Sequence, residues 1–345
     1  MPRRIGLPFA DWPAPDRLAW ECATAHGALF EASASAAHWR SATRARARSA
    51  YGRWLAFVKA DGAATLDDPP PERVTHARLQ RYVEQLRARI STMGLAAELQ
   101  HLLLALRAMA PASDWKWLQR VQATFQKQAR PRDKRSKLVD PQRILTLGLN
   151  LMDEADAAPT PLEQARQFRD GLLIALLVCR PLRRRSLATL EMGRNVHREG
   201  DGYVLSLEGD DTKGGEPVEF TVPALLTSYL TRYLDGYRPR FLAASTTAAL
   251  WLSSKGAALC SEAIYDLVCR RTRDALGFAI HPHLFRDIAA TAMSREAPTL
   301  LPVARDLLAH ANAATTQHYY VKARSIDAAR QHAATIEKLR AAIDR

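Results

Sequence analysis

Cysteine is scarce and shows no metal-binding pattern. The four present, Cys22, Cys179, Cys260 and Cys269, have no C-x-x-C spacing, which argues against a disulfide framework or a zinc ribbon in a chain of this length and fits a reducing cytoplasm. Long apolar runs are missing as well. The run from Leu172 to Cys179, bounded by Asp170 and Arg180, falls far short of the roughly 20 residues a membrane span needs and reads as a buried helix. The opening MPRRIGLPFADWP has no apolar h-region and no small-residue cleavage site, so no secretion signal is expected. There is no G-x-x-x-x-G-K-[ST] phosphate loop, and no carboxylate cluster suits a divalent metal. A zinc site from His281, His283, Cys260 and Cys269 fits no common ligand spacing.

Acidic residues are the other shortage. Against 36 Asp and Glu stand 49 Lys and Arg, a net charge of +13, and an excess that size favours a polyanionic partner, nucleic acid or an acidic membrane surface. Hydrophobic residues at 47% and charged residues at 25% are an ordinary globular mixture, which excludes wholesale disorder. At roughly 150 residues per domain, 345 residues suggest two domains.

Residues 1–35, Ala-rich with scattered Pro and Trp, read as a loosely attached arm with one helix at most. From His38 the pattern turns helical: Tyr51, Trp54, Leu55 and Val58 repeat at i, i+3, i+4 and i+7, the spacing of a buried face. On the same segment Arg40, Arg44 and Arg48 recur every four residues, stacking their guanidinium groups on one side, either a solvated face or a phosphate-binding stripe. A Pro-Pro-Pro break at 69–71 closes this section. Further helices are expected near Thr75–Ile90, Leu95–Met109 and Asp114–Gln128, making a four-helix module over 36–128. Trp39, Trp54, Trp115 and Trp117 are expected in core packing rather than stacked on bases. Residues 129–140, ARPRDKRSKLVD, read as a basic linker, with Arg132, Lys134 and Arg135 suited to a phosphate backbone.

Beyond the linker, helices are expected at Pro141–Met152, Leu162–Cys179 and Arg184–Met192. Two alternating strands follow, Tyr203-Val-Leu-Ser-Leu and Val218-Glu-Phe-Thr-Val, with GDDTKGGEP between them. Helices resume at Ala224–Leu234, Ser261–Leu276, Leu284–Ser294, Leu301–Ala309 and Ala313–Tyr320, with a last amphipathic helix from about Ser325 to Ile343. An alternating βαβ fold is not supported.

PLRRRSLATL at 181–190, TKGG at 212–215, HLFRD at 283–287 and LLAHANAATTQHYY at 307–320 are individually weak, but their order and spacing are specific. Together they resemble the tyrosine recombinase (phage integrase) family, over about residues 165 to 322. The family pattern is an arginine opening a helix, a lysine on a β-hairpin, H-x-x-R, then L-x-H with a tyrosine nine residues after that histidine. Here Arg183 takes the first place, with Arg184 or Arg185 as competitors. Lys213, His283, Arg286 and His310 follow, and Tyr319 comes nine residues after His310, with Tyr320 as its competitor.

The resemblance implies a mainly α protein of the DNA breaking-rejoining fold. An N-terminal helical core-binding (SAM-like) domain would cover 36–128, and a mixed α catalytic domain with a small β-sheet insertion would cover 141–322. A C-terminal helix at 323–345 would dock either on its own domain or on a neighbouring protomer. It further implies metal- and ATP-independent strand transesterification through a 3′-phosphotyrosine, with no cofactor. Partners would be double-stranded DNA carrying recombination sites, clamped between the two domains, with a homotetramer on the DNA, other recombinases and no membrane. Localisation would be cytoplasmic and nucleoid-associated, and the role integration, excision or transposition of a mobile element. A type IB topoisomerase-like relaxase and a non-catalytic DNA-binding protein of the same fold remain the alternatives. The chain departs from the pattern at Ser186, where an acidic residue is usual, at Asp287, in place of a second histidine, and at Ala309, in place of glycine.

Overall fold

Two compact units, Met1–Asp133 and Lys134–Arg345, divide the chain in the computed structural model, which describes residues 6–26, 34–62, 66, 68–130, 138–212 and 217–296. Each is built mainly of helices whose ends follow capping chemistry. In the N-terminal unit these are α1 (Ala14–Thr24), α2 (Ser41–Asp61), α3 (Pro70–Arg73), α4 (His76–Arg87), α5 (Thr92–Met109) and α6 (Lys116–Gln128). The Thr75 hydroxyl accepts the Arg78 N–H at the start of α4, and Ser91 accepts Gly94 N–H at the start of α5, each satisfying an orphan donor of the first turn. Gly62, at φ 64°, ends α2 in the left-handed conformation glycine tolerates.

The apolar stripe of α2 is buried as its spacing predicts. Tyr51, Trp54, Leu55 and Val58 have no solvent exposure, and they pack with Leu99, Leu102 and Leu106 of α5 and Leu118 of α6.

The described part of residues 1–35 does not trail from this unit, contrary to the reading of a loose arm. Trp12 and Trp20 belong to the same core, and Leu7 N–H donates to Gly52 O at 2.8 Å. A Cβ on Gly52 would sit 2.6 Å from the Leu7 carbonyl oxygen, so glycine is what lets the segment lie against α2. The fully buried Asp16 of α1 accepts both arms of the Arg73 guanidinium, at 2.7 and 2.6 Å. A buried ion pair of that kind tolerates no loss of either partner. The prolines at 69–71 likewise do not simply break the chain: Pro70 and Pro71 open α3, where a missing N–H costs nothing.

The second unit comprises α7 (Pro141–Asp153), α8 (Pro161–Cys179), α9 (Arg184–Ala188), β1 (Val196–Glu199), β2 (Gly202–Leu207), β3 (Val218–Thr221), α10 (Ala224–Arg232), α11 (Ser261–Leu276) and α12 (Pro282–Glu296). Its sheet is antiparallel in the order β1-β2-β3, with Val196 opposite Leu205 and Val204 opposite Thr221. The fold is thus mainly α with a small sheet, as expected. Strand β1 is an addition to the sequence reading, because three of its four residues are exposed and no alternation shows. Helix α9 stops at Ala188, short of Met192, because Glu191 turns away to bridge Ala249.

Helix α8 forms the axis of this unit. From Gly171 to Leu177 every residue is buried, so the uncharged run does mark an interior helix. It lies backbone against backbone with α7: a Cβ on Gly171 would come 2.5 Å from Gly148 O. Asp170, 1% exposed, accepts from Arg169 on α8 and from Arg271 on α11, tying the two helices together. Among the described residues no helix is long and apolar enough to cross a membrane.

Candidate active site

Helix α8 ends at Cys179 because Pro181 cannot continue it. The chain turns through Arg180–Leu182, with Leu182 N–H donating to Arg180 O at 2.7 Å, and re-enters a helix at α9. Arg183 stands at the junction, extended in backbone and half-buried, while Leu182 and Leu187 anchor the turn in the core. Burial pushes the guanidinium pKa of Arg183 below its ordinary value, although an arginine remains charged at any physiological pH.

Arg184 and Arg185, the two competitors that follow it, are exposed. Arg184 leans over the Tyr265 ring at 5.5 Å and approaches Glu262 at 3.4 Å, so it is engaged on the face of α11.

Arg286 lies on α12 and is 5% exposed. Its Nη1 donates to the carbonyl oxygen of Pro181 at 2.7 Å. One hydrogen bond therefore fastens α12 to the turn two residues before Arg183 and draws together two arginines that are 103 positions apart in the chain. Leu284, Phe285 and Ile288, all buried, seat the same helix in the core. His283, three residues before Arg286 and exposed, occupies the first turn of α12 on the same side. Its ring lies nearly parallel to that of His281, centroids 6.5 Å apart, and His281 in turn lies parallel to Tyr265 at 6.1 Å. No role attaches to His281 in the sequence reading; here it stands between the histidine of H-x-x-R and α11.

Arg183, His283 and Arg286 are thus brought to one locality. Lys213, His310 and Tyr319 lie outside the described residues, as do Arg132, Lys134, Arg135 and the segment 323–345. The described chain does lead to within one residue of Lys213, where the Ser186 hydroxyl donates to Asp211 O at 2.6 Å.

In the N-terminal unit the arginine stripe is partly committed to internal contacts. Arg44 donates to Ala37 O and lies 3.2 Å from His26 Nε2, and Arg48 sits over the Phe9 ring at 5.6 Å. Arg40 precedes α2 and is exposed. The tryptophans are packing residues: Trp54 and Trp115 are buried, Trp39 meets Trp20 edge-on at 6.5 Å, and Trp117 stacks on His76 at 4.0 Å.

Among the described residues no three His, Cys, Asp or Glu side chains gather as a metal site. Cys260 instead caps α11, its Sγ accepting from Ala263 N–H.

Known proteins resemble this chain in fold or in sequence. The XerH site-specific recombinase bound to palindromic difH substrate, in a post-cleavage complex, superposes with a TM-score of 0.59 at 16% identity, over 94% of this chain and 95% of that one. XerH bound to difH substrate in a pre-cleavage complex gives 0.55 at 18% identity, over 84% and 78%. Tyrosine recombinase XerD from Staphylococcus aureus is 25% identical over 173 residues, 50% of this chain and 56% of the relative. XerD from Staphylococcus epidermidis is 25% identical over 153 residues, 44% and 50%. The chain therefore spans about half the length of the curated relatives it matches. The profile described as the Phage integrase family matches residues 149–325, a stretch that holds the Arg183 turn, the sheet and α12 and takes in more than half of the chain. The protein belongs to the phage integrase family, the tyrosine recombinases.

Proposed function

We propose that this protein is a site-specific DNA recombinase that cuts and rejoins duplex DNA through a 3′-phosphotyrosine intermediate, in the integration, excision or transposition of a mobile element. The observation that carries the reading is the bond from Arg286 to the Pro181 carbonyl, which fixes a second permanent cation beside the Arg183 turn.

Phosphoryl transfer is governed by positioning and by electrostatic stabilisation of the non-bridging oxygens. Guanidinium forks bind those oxygens in a fixed plane that an ammonium does not reproduce. In the proposed cycle the Tyr319 oxygen attacks phosphorus, a P–O bond to tyrosine forms, and the bond to the 5′-oxygen breaks. The phenol has an ordinary pKa near 10, so it needs a base, and His283 is assigned to take its proton. Lys213 supplies the proton to the departing 5′-oxygen, and His310 donates to a phosphate oxygen. Attack by a 5′-hydroxyl of another strand reverses these steps and conserves the bond energy without ATP or metal.

The partner is duplex DNA, held by the two units with contributions from Arg40, Arg44, Arg48, Arg132, Lys134 and Arg135. The working assembly is a homotetramer on two sites, with other recombinases as further partners. Such phosphate contacts give salt-dependent affinity with little sequence content.

The test is covalent capture from a pool of randomised duplexes, each carrying a nick so that the cleaved end diffuses away. Wild-type protein should yield a denaturant-resistant protein–DNA adduct, and Tyr319→Phe none. Failure of the wild type to capture any duplex from the pool would overturn the reading. Captured sequences then serve as substrates for strand exchange between two marked duplexes, and relaxation of supercoils without exchange would favour a topoisomerase instead.

A further inference from the structure

The family pattern carries an acidic residue at the place of Ser186, and the recombinase reading gives that serine no task. The structure gives it one. Ser186 sits in the middle of α9, 4% exposed, and its hydroxyl donates to the Asp211 carbonyl at 2.6 Å. Asp211 ends the short turn Gly209–Asp211 that follows β2.

The same residue is gripped from its other side. Its carboxylate accepts from Arg194 at 2.8 Å and from Asn195 Nδ2 at 3.4 Å. Asn195 is itself fully buried and braced by the Ser206 carbonyl at 3.1 Å and by Glu191 N–H at 3.2 Å. Thr212 folds its hydroxyl back onto Gly209 O at 3.1 Å. The path of the backbone is therefore fixed up to the residue immediately before Lys213, and Ser186 fixes it from the Arg183 helix.

We propose that Ser186 is a positioning residue. Its hydroxyl locks the start of the β2–β3 connection to the helix that Arg183 opens, so that the chain enters Lys213, the proton donor of the recombinase reading, from a fixed point beside the phosphate-binding arginine. This rests on the recombinase reading. The chemistry of position 186 has a sharp corollary. A hydroxyl donates, whereas an ionised carboxylate only accepts and would face the Asp211 carbonyl with like partial charge. The serine is thus matched to this loop, and the family's usual acidic residue is not.

The experiment uses the full chain and a duplex captured from the randomised pool, made in two forms. One has an ordinary scissile phosphodiester; the other carries sulfur in place of the bridging 5′-oxygen. A thiolate departs without a proton, so the second form bypasses Lys213. Ser186→Ala is expected to slow adduct formation on the ordinary duplex by about tenfold to hundredfold, the scale of a displaced general acid, and to leave the sulfur-containing duplex at the wild-type rate. Lys213→Ala should show the same selectivity more strongly. Ser186→Thr, which keeps the donor, should recover most of the loss, and Ser186→Asp should be no better than alanine.

Equal slowing on both duplexes would mean that Ser186 merely supports the fold, and an unchanged rate on the ordinary duplex would mean it does nothing for catalysis. Either result overturns the proposal while leaving the recombinase reading intact. That reading fails separately, if wild-type protein captures no DNA.

Discussion

In the N-terminal unit Arg73 meets Asp16 through two hydrogen bonds inside the core, and Arg53 meets Glu98 in the same forked manner at 2.7 and 2.5 Å. At the turn after α8 the buried guanidinium of Arg286 is held by a peptide carbonyl. The hydrogen bond to Glu98 raises the pKa of Arg53. For Arg73 burial works downward, but the bond to Asp16 and neighbouring negative charge bring the net shift upward. For Arg183 burial works downward and the net shift is downward. A carboxylate partner makes an arginine part of the scaffold. The bond from Arg286 to Pro181 goes instead to an uncharged carbonyl, which fixes the direction of the guanidinium; under the proposed function, partial burial would lower the local dielectric and strengthen its attraction for a phosphate.

The contrast can be broken most forcefully at Asp16. Asp16→Ala strands Arg73 in the core and should destabilise the protein by about 3–5 kcal/mol, read as a lower urea midpoint. A midpoint close to wild type would remove the structural role given to the pair. Next in size, Arg183→Lys keeps the charge and loses the fork. It should slow adduct formation by about 10²- to 10³-fold while thermal melting stays near wild type; a large drop in melting temperature would place Arg183 with the scaffold arginines.

A smaller effect is expected from acid. The hydrogen bond from Arg81, opposed by some desolvation, holds the Asp61 carboxyl below the usual carboxylate range. A lowered folded-state pKa contributes stability that is complete above the unfolded value near about 3.9 and fades as pH falls through the folded one. Asp61→Asn should flatten the pH dependence of unfolding below about pH 4, and an unaltered pH profile would count against that contact. Smallest is Arg48→Ala. Losing its place over Phe9 should cost about 0.5–1 kcal/mol, and if it also meets a phosphate, the slope of log affinity against log salt should fall by about one.

What the sequence disclosed depended on whether an interaction leaves a local period. The stripe on α2 and the interior run of α8 do, and both are where the spacing puts them. Asp16 and Arg73 do not: each looks solvated until the fold brings them together across 57 positions, which is why residues 1–35 read as an arm. Strand β1 was hidden by its exposed His197, Arg198 and Glu199. At the candidate site, the residue types and their order were visible through the family resemblance. The contact joining Arg286 to the Arg183 turn ends on a backbone oxygen, and a backbone oxygen has no letter in the sequence. Ser186 looked like a loss there, because its partner Asp211 is also contacted through the main chain.

The glycine pair at 148 and 171 has a mechanical consequence. With α7 and α8 touching through their backbones, α8 has little room to slide, and the Arg183 turn issues directly from its end. The position of that turn is set when the polypeptide folds. Under the proposed function, a phosphate docking there would meet a turn already held in place, and little of the attraction would be spent on rearranging its host. A larger residue at either glycine would pry the two rods apart and shift the aim of a side chain a dozen or more residues downstream.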